Sequence, residues 1–300
     1  MDIELFLQLL VDGLVRGSNI VLLALGFSLA FGVSGVFHFA HGAIYTLAAY
    51  IVYQIYTLWG MNMAVAVLGA LVVCMVVGTG VEAGIYRPLR DRATDRLLMC
   101  LVSLGILLII QAIISLIWGT YVLQFIPQGK EVQSTLIHIG PVKLTIVRFL
   151  TFFVCVGIYG FLYFYFLRRT RLGIAMRALI SSPTMARVVG VDQRWIILLT
   201  YMLASALAVP GSILIGWEEG FIPGGGFQLI LYSFIALVFG GIGSIPGTFV
   251  GGLMMGVIAS LSHWKIGGQW ETAIIFIFFL ICILLRPTGL YGYKERKAEL

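Results

Sequence analysis

From Gly17 to Val81 the chain carries no Asp, Glu, Lys or Arg, 65 residues in succession. As helix that stretch would run roughly 98 Å, about three crossings of a ~30 Å hydrocarbon core. A second uncharged run lies between Glu219 and Lys265, long enough for about two crossings, or one crossing and a re-entrant piece. A soluble chain of this length must face water with its outer shell, and 60% hydrophobic against 11% charged residues leaves too little to cover it. The runs are continuous rather than alternating, which excludes a lipid-facing barrel. The expectation is an all-α integral membrane protein, a polytopic bundle of eight or nine transmembrane spans in a single domain over 1–300.

The candidate spans are 17–37, 43–59, 62–81, 97–118, 144–167, 195–216, 228–241, 247–263 and 271–285. Span 144–167 carries one charge, Arg148, close enough to an end to snorkel. Spans 228–241 and 247–263 are short and glycine-rich, and read either as two helices or as a broken, re-entrant pair. The four cysteines, Cys74, Cys100, Cys155 and Cys282, sit in apolar runs without metal-ligand spacing and read as small hydrophobes. The acidic N-terminus, Met1-Asp2-Ile3-Glu4, lacks the basic region of a cleaved signal peptide.

Arginine and lysine set the orientation. Segment 82–96 holds Arg87, Arg90, Arg92 and Arg96, and 168–194 holds Arg168, Arg169, Arg171, Arg177, Arg187 and Arg194. The tail 286–300 holds Arg286, Lys294, Arg296 and Lys297. By contrast 119–143 offers Lys130 and Lys143, and 217–227 only Glu218 and Glu219. The first three segments are expected on the cytoplasmic side and the last two outside. Nine spans put the N-terminus outside and the C-terminus inside, and an eight-span count makes one glycine-rich piece re-entrant. The net charge of +6 thus reflects topology and not a nucleic-acid surface.

There is no G-x-x-x-x-G-K-[ST], G-x-S-x-G or H-E-x-x-H, so the residues point to no enzyme, metal or cofactor. Three features stand out. First, Gly35-Val36-Phe37-His38-Phe39-Ala40-His41-Gly42 interrupts an apolar stretch. It reads as a broken helix lining a translocation route or as a polar turn at the membrane surface. Second, Gly240-Gly241-Ile242-Gly243-Ser244-Ile245-Pro246-Gly247 marks a break with close packing or a pore wall. Both interruptions follow similar strings, Leu29-Ala30-Phe31-Gly32 and Leu237-Val238-Phe239-Gly240, the pattern of an internal repeat or of chance. Third, loop 171–193 holds a short helix: Ser182 as cap, Pro183 in its first turn, Gly190 at its end, and Met185, Val188 and Val189 as an apolar stripe. Such a helix suits a partner's groove or the inner leaflet, where Arg meets anionic lipid.

At these places the chain resembles the permeases of branched-chain amino acid ABC importers. The resemblance rests on His38-Phe39-Ala40-His41-Gly42, on Glu82 followed by Tyr86-Arg87-Pro88-Leu89-Arg90, and on Leu172-Gly173 with Arg177-Ala178, Ala186 and Gly190. The glycine run 240–247 and Arg286-Pro287-Thr288-Gly289-Leu290 complete it, in the family's order across 17–290. It implies the first of the importer's two permeases, in the inner membrane, with 171–193 as the coupling loop. Implied partners are a second, homologous permease, two ATP-binding subunits and an external solute-binding protein. His38, Phe39, His41, Gly42, Tyr232, Gly241, Gly243 and Gly247 are then expected to line or gate the path. Arg177, Ser182, Pro183, Ala186 and Gly190 would build the coupling surface. Where the family commonly has Asn this chain has His38, and a frequent Lys eight positions before the paired glycines is Tyr232. Relatives also carry urea, short amides and aromatic acids. The rival class is a stand-alone carrier using His38 and His41 as a proton relay, against which stands the lack of a carboxylate within the mid-membrane runs.

Overall fold

The computed structural model describes residues 3–125, 136–139, 142–265, 267–286 and 288–292. Lys130, Pro287, Lys294, Arg296 and Lys297 lie outside the described residues. The helices are α1 (Ile3–Ser34), α2 (Ala40–Val52), α3 (Met63–Val81), α4 (Arg87–Asp91), α5 (Arg96–Trp118), α6 (Ile146–Gly160) and α7 (Leu167–Arg169). They continue with α8 (Arg171–Ser181), α9 (Pro183–Val188), α10 (Gln193–Glu218), α11 (Gly225–Gly240), α12 (Ile245–Lys265) and α13 (Glu271–Leu285). Wide π turns extend α2 over Tyr53–Leu58, join α3 to α4 over Glu82–Tyr86, and join α6 to α7 over Phe161–Phe166. Among the described residues, strands β1 (Leu136–Ile139) and β2 (Val142–Thr145) pair antiparallel ahead of α6, Leu136 with Thr145 and Ile139 with Val142.

All nine candidate segments are helical, but the count of eight or nine spans is corrected. Among the described residues, seven helices are long and apolar enough to cross a membrane: Ile3–Ser34, Met63–Asp91, Arg96–Trp118, Ile146–Arg169, Gln193–Glu218, Ile245–Trp264 and Gly268–Leu285. Helix α11, at 16 residues, and α2, at 13 before its π extension, are shorter pieces packed inside them. The first span also begins far earlier than 17, because the charges that argued against it are matched. Asp12 pairs with Arg148 at 2.9 Å and Arg16 with Glu271 at 3.2 Å. Arg148, expected to snorkel, instead bridges Asp12 and Glu218.

Helix α1 is the axis of the bundle, buried almost without interruption from Gly17 to Ala30. It lies directly on α12 through glycines. A Cβ on Gly13 would sit 2.7 Å from the Val257 Cα, and one on Gly256 would sit 2.1 Å from the Gly17 nitrogen. The spacing of four in Gly13/Gly17 and in Gly252/Gly256 places each pair on one helix face, so the backbones touch. The neighbouring face of α12 repeats the device against α11. There a Cβ on Gly251 would meet the Ala236 carbonyl at 2.4 Å, and one on Gly247 the Gly240 carbonyl at 2.1 Å. In lipid, where hydrophobic burial gives little between helices, such backbone contact supplies the dispersion energy that holds α1, α11 and α12 together.

The basic segments gather at one end of the bundle. Arg194 at the start of α10 bonds Asp91 at the end of α4 at 3.1 Å. Arg96 approaches the Gly35 turn, and Ile180 of α8 approaches both Gly32 and Gly243. The opposite end carries Arg16, Arg148, Glu218, Glu271 and His263 in ion pairs.

Candidate functional site: a broken helix, a cavity at one end and a helical hairpin at the other

The interruption after α1 is internal. Helix α1 stops at Ser34, Gly35 turns the chain with φ +70°, and α2 restarts at Ala40. Both His38 and His41 are fully buried within the protein. Its polar groups are held from several sides. His38 Nδ1 lies 2.9 Å from the Tyr86 hydroxyl, which donates to Ser103 Oγ at 2.8 Å, and Ser103 accepts the Ala40 backbone N–H at 3.0 Å. Ser34 and Tyr201 hydroxyls lie 3.2 Å apart across the same region, and the Tyr201 ring packs on His38 with centroids 4.8 Å apart. His41 lies against Gly26, where a Cβ would come within 2.8 Å of its Nε2. Phe39 belongs to an aromatic group with Phe27, Phe37 and Phe234.

Gly42 faces the other way, toward α11. A Cβ on Gly226 would fall 2.0 Å from the Gly42 carbonyl. Thr46 Oγ1 accepts the Gly226 N–H at 3.0 Å and donates to the Gly42 carbonyl at 3.2 Å. Thr46 and Gly226 at this crossing of α2 and α11 line a cavity of about 430 Å³ whose lining also includes Arg16 and Glu271. Tyr45, Ser212, Asn19 and Glu219 line its polar side, and Ile20, Ile215 and Leu229 its apolar side. Tyr232 also lines it, with its hydroxyl accepting from Gln228 at 2.9 Å and lying 3.0 Å from Thr272 Oγ1. Over the cavity, Leu123 and Phe221 exchange backbone hydrogen bonds at 2.9 and 3.0 Å, and Phe125 is buried against Gly216.

At the far end, α8 and α9 form a helical hairpin. Thr170 caps α8 by accepting the Gly173 N–H at 3.0 Å, and Ser182 caps α9 by accepting the Met185 N–H at 3.3 Å. Pro183 occupies the first turn of α9, and Gly190 follows it with φ +86° and nothing within 4 Å of a would-be Cβ. Arg177 and Pro183 are exposed and Ala186 is buried. Met185, Val188 and Val189 stand 65%, 77% and 76% exposed, an apolar patch on a polar end of the molecule. The inner side of α8 is anchored by Met176 and Leu179 in the core. Ile180 lies between Gly32 and Gly243: a Cβ on Gly32 would come within 3.2 Å of it and one on Gly243 within 3.6 Å. One side chain is thus placed near the end of α1 and the glycine turn before α12. Gly241, with φ +110°, is overlain by the chain after α13, whose Leu290 and Tyr291 N–H groups bond the Phe239 and Gly240 carbonyls at 2.8 and 2.9 Å.

Sequence reasoning did not find the Asp12–Arg148–Glu218 cluster or the cavity residues Arg16, Tyr45, Ser212 and Glu219. A signal was present for the first, since a lone Arg inside an apolar span demands a carboxylate. None marked Tyr45 or Ser212, which read as ordinary span residues.

A multi-spanning helix bundle with an interior break, a cavity at one end and an exposed apolar hairpin at the other has the build of a membrane permease subunit. Residues 9–285 match the family described as "Branched-chain amino acid transport system / permease component", and the chain belongs to that family. It is 32% identical to the high-affinity branched-chain amino acid transport system permease protein BraD of Pseudomonas aeruginosa, over 98% of each chain. It is 30% identical to the corresponding protein LivH of Salmonella typhimurium, over 97% of this chain and 96% of that one. Among solved structures, PsaBC from Streptococcus pneumoniae in complex with Fab shares the fold with a TM-score of 0.51. That match covers 95% of this chain and 94% of the other at 13% identity.

Proposed function

We infer that this chain is the permease of a binding-protein-dependent ABC importer that moves branched-chain or related amino acids across the inner membrane. ATP hydrolysis takes place on separate subunits. The single observation that carries the reading is the full-length membership in the branched-chain amino acid permease family. The arrangement of α8 and α9 supplies a mechanism. The exposed stripe of Met185, Val188 and Val189, flanked by Arg177 and Arg187, is the docking face for an ATP-binding subunit. Ser182, Pro183, Ala186 and Gly190 fix the shape of that face. A push on α9 is passed through α8 to Ile180, and from there to the end of α1 and the Gly241–Gly247 turn together.

The α2–α11 crossing at Gly42 and Gly226 is the closed gate in this state, with Phe39 and Tyr232 beside it. His38 and His41 act on the path by holding the break: they brace α1, α2 and the Tyr86–Ser103 pair, so the start of α2 moves as a unit. A conformational change of this kind requires each ATPase state to contact the hairpin differently. The importer also takes a second, homologous permease, the counterpart of this chain across the path, and an external solute-binding protein that seats on the end carrying Arg16 and Glu271. The C-terminus lies on the cytoplasmic side, with the basic segments.

The test is uptake of labelled leucine into vesicles holding this chain and its co-purifying subunits. The expected result is uptake that needs ATP and the binding protein and persists when the proton gradient is collapsed. Uptake that follows the proton gradient without ATP would replace the importer reading with the proton-relay carrier.

A further inference from the structure

The outer cavity is built as a recognition site and not merely as a water-filled entrance. Two of its hydroxyls are buried and lack partners: Ser212 Oγ, on a residue with no exposed surface, and the Tyr45 hydroxyl, on a residue 5% exposed. The Asn19 carbonyl oxygen beside them is also unpartnered. Leaving a buried polar group without a hydrogen bond is unfavourable, and three around one cavity are groups waiting for a ligand or for water. Arg16 and Glu271 both line the cavity and pair with each other, Arg16 Nη1 lying 3.2 Å from Glu271 Oε2 and 3.4 Å from His263 Nε2. Glu219, an exposed residue of the same lining, makes no side-chain ion pair or hydrogen bond among the described residues. The positive end of the α11 dipole faces the same space, since Gly225 and Gly226 line it. Its first N–H groups are already engaged by Ile222, Thr46 and Gly224, so the helix contributes field and not hydrogen bonds. The rest of the lining mixes aliphatic residues with Thr46, Phe221, Gln228, Tyr232 and Glu271. A volume of about 430 Å³ falls in the range of about 300–1,000 Å³ of small-molecule sites.

We propose that this cavity is a binding site, within the permease itself, for a free aliphatic α-amino acid in its zwitterionic form. The carboxylate sits toward Arg16 and the N-terminus of α11, and the ammonium toward Glu219. Ser212, Tyr45 and Asn19 take the remaining hydrogen bonds, and the side chain lies against Ile20, Ile215 and Leu229. This site rests on the amino-acid importer reading. It adds a selection step after release from the binding protein, so a solute lacking either charge is held less well before the Gly42–Gly226 crossing opens.

The test is equilibrium binding of labelled leucine to the intact assembly in lipid nanodiscs, without binding protein, for the wild type, Glu219→Gln and Ser212→Ala. 4-Methylpentanoate, which lacks the ammonium group, serves as competitor. The expected result is saturable leucine binding that weakens about tenfold or more in Glu219→Gln. Weak competition by 4-methylpentanoate should be unchanged in that variant, which separates loss of the ammonium contact from general damage. Ser212→Ala is expected to weaken leucine and the acid alike. Leucine uptake by an assembly that shows no saturable binding without its binding protein would overturn the site and leave the importer standing. Binding unaffected by Glu219→Gln would overturn the site as well. Saturable binding of urea or acetamide at this cavity, with no uptake of leucine, would overturn both readings.

Discussion

At the level of single residues the interior tolerates very little. Gly256 is the extreme case, because any side chain there would collide with the backbone of α1 at Gly17 and not with a flexible neighbour. Gly256→Leu must force α1 and α12 apart, and overpacking of this kind costs about 1–3 kcal/mol even where side chains can yield. The expected outcome is a collapse in the yield of monodisperse protein in mild detergent, whereas a bulky residue at Gly84, with nothing within 4 Å, should leave the yield unchanged. The pair Glu82–Arg90 makes a different kind of prediction. Glu82 is 1% exposed at its side chain and its cation is Arg90. Arg90→Ala strands a buried carboxylate, a loss of about 3–5 kcal/mol, while replacing both members with apolar residues removes the need for pairing. The thermal midpoint of Arg90→Ala should therefore fall well below that of the double variant Glu82→Met/Arg90→Met. A single variant as stable as the double would refute the pairing argument.

In the proposed mechanism helices and turns carry the coupling, and here the sequence was most informative. Ser182, Pro183 and Gly190 bracket a short helix by local chemistry alone, a cap, a ring that fixes φ and a residue free to take φ > 0, so α9 was readable without its surroundings. What those signals do not contain is contact. Nothing in residues 171–181 announces that Ile180 bridges Gly32 and Gly243, because that depends on how α1 and α12 lie against α8. The same reasoning explains the span count. Hydropathy sees 17–37 as a span that starts after Arg16, yet α1 starts at Ile3 because Arg148 and Glu271, more than a hundred residues away in sequence, neutralise Asp12 and Arg16. The element-level prediction follows from Gly190, whose surroundings are open. Gly190→Val acts through backbone strain alone, of about 1–3 kcal/mol, and should leave folding intact while uncoupling ATP hydrolysis from uptake. Normal uptake per ATP hydrolysed in that variant would remove Gly190 from the coupling surface. Ile180→Ala should produce the same uncoupling from the opposite side of the hairpin.

For the whole molecule, close backbone contact through glycine recurs at two seams. The seam of α1, α11 and α12 is held by backbone contact at Gly13, Gly17, Gly240, Gly247, Gly251 and Gly256. The α2–α11 crossing rests on one threonine and a glycine pair. The interior location of the His38–His41 break could be anticipated from its apolar flanks. Its partners Tyr86, Ser103 and Tyr201 could not, since they come from three other elements. The α1–α12 seam also has a bearing on how the protein is made. Synthesis runs from the N-terminus, so α1 enters the bilayer when its binding face on α12 is still more than two hundred residues from being translated. Until then its glycine stripe faces lipid or a chaperone, and the newborn chain is at its most vulnerable to membrane proteases. A chain stopped at Ser244 should therefore be degraded rapidly, and co-expressing residues 245–300 as a separate piece should rescue it. Survival of the truncated chain alone would mean that α1 finds a substitute partner during synthesis.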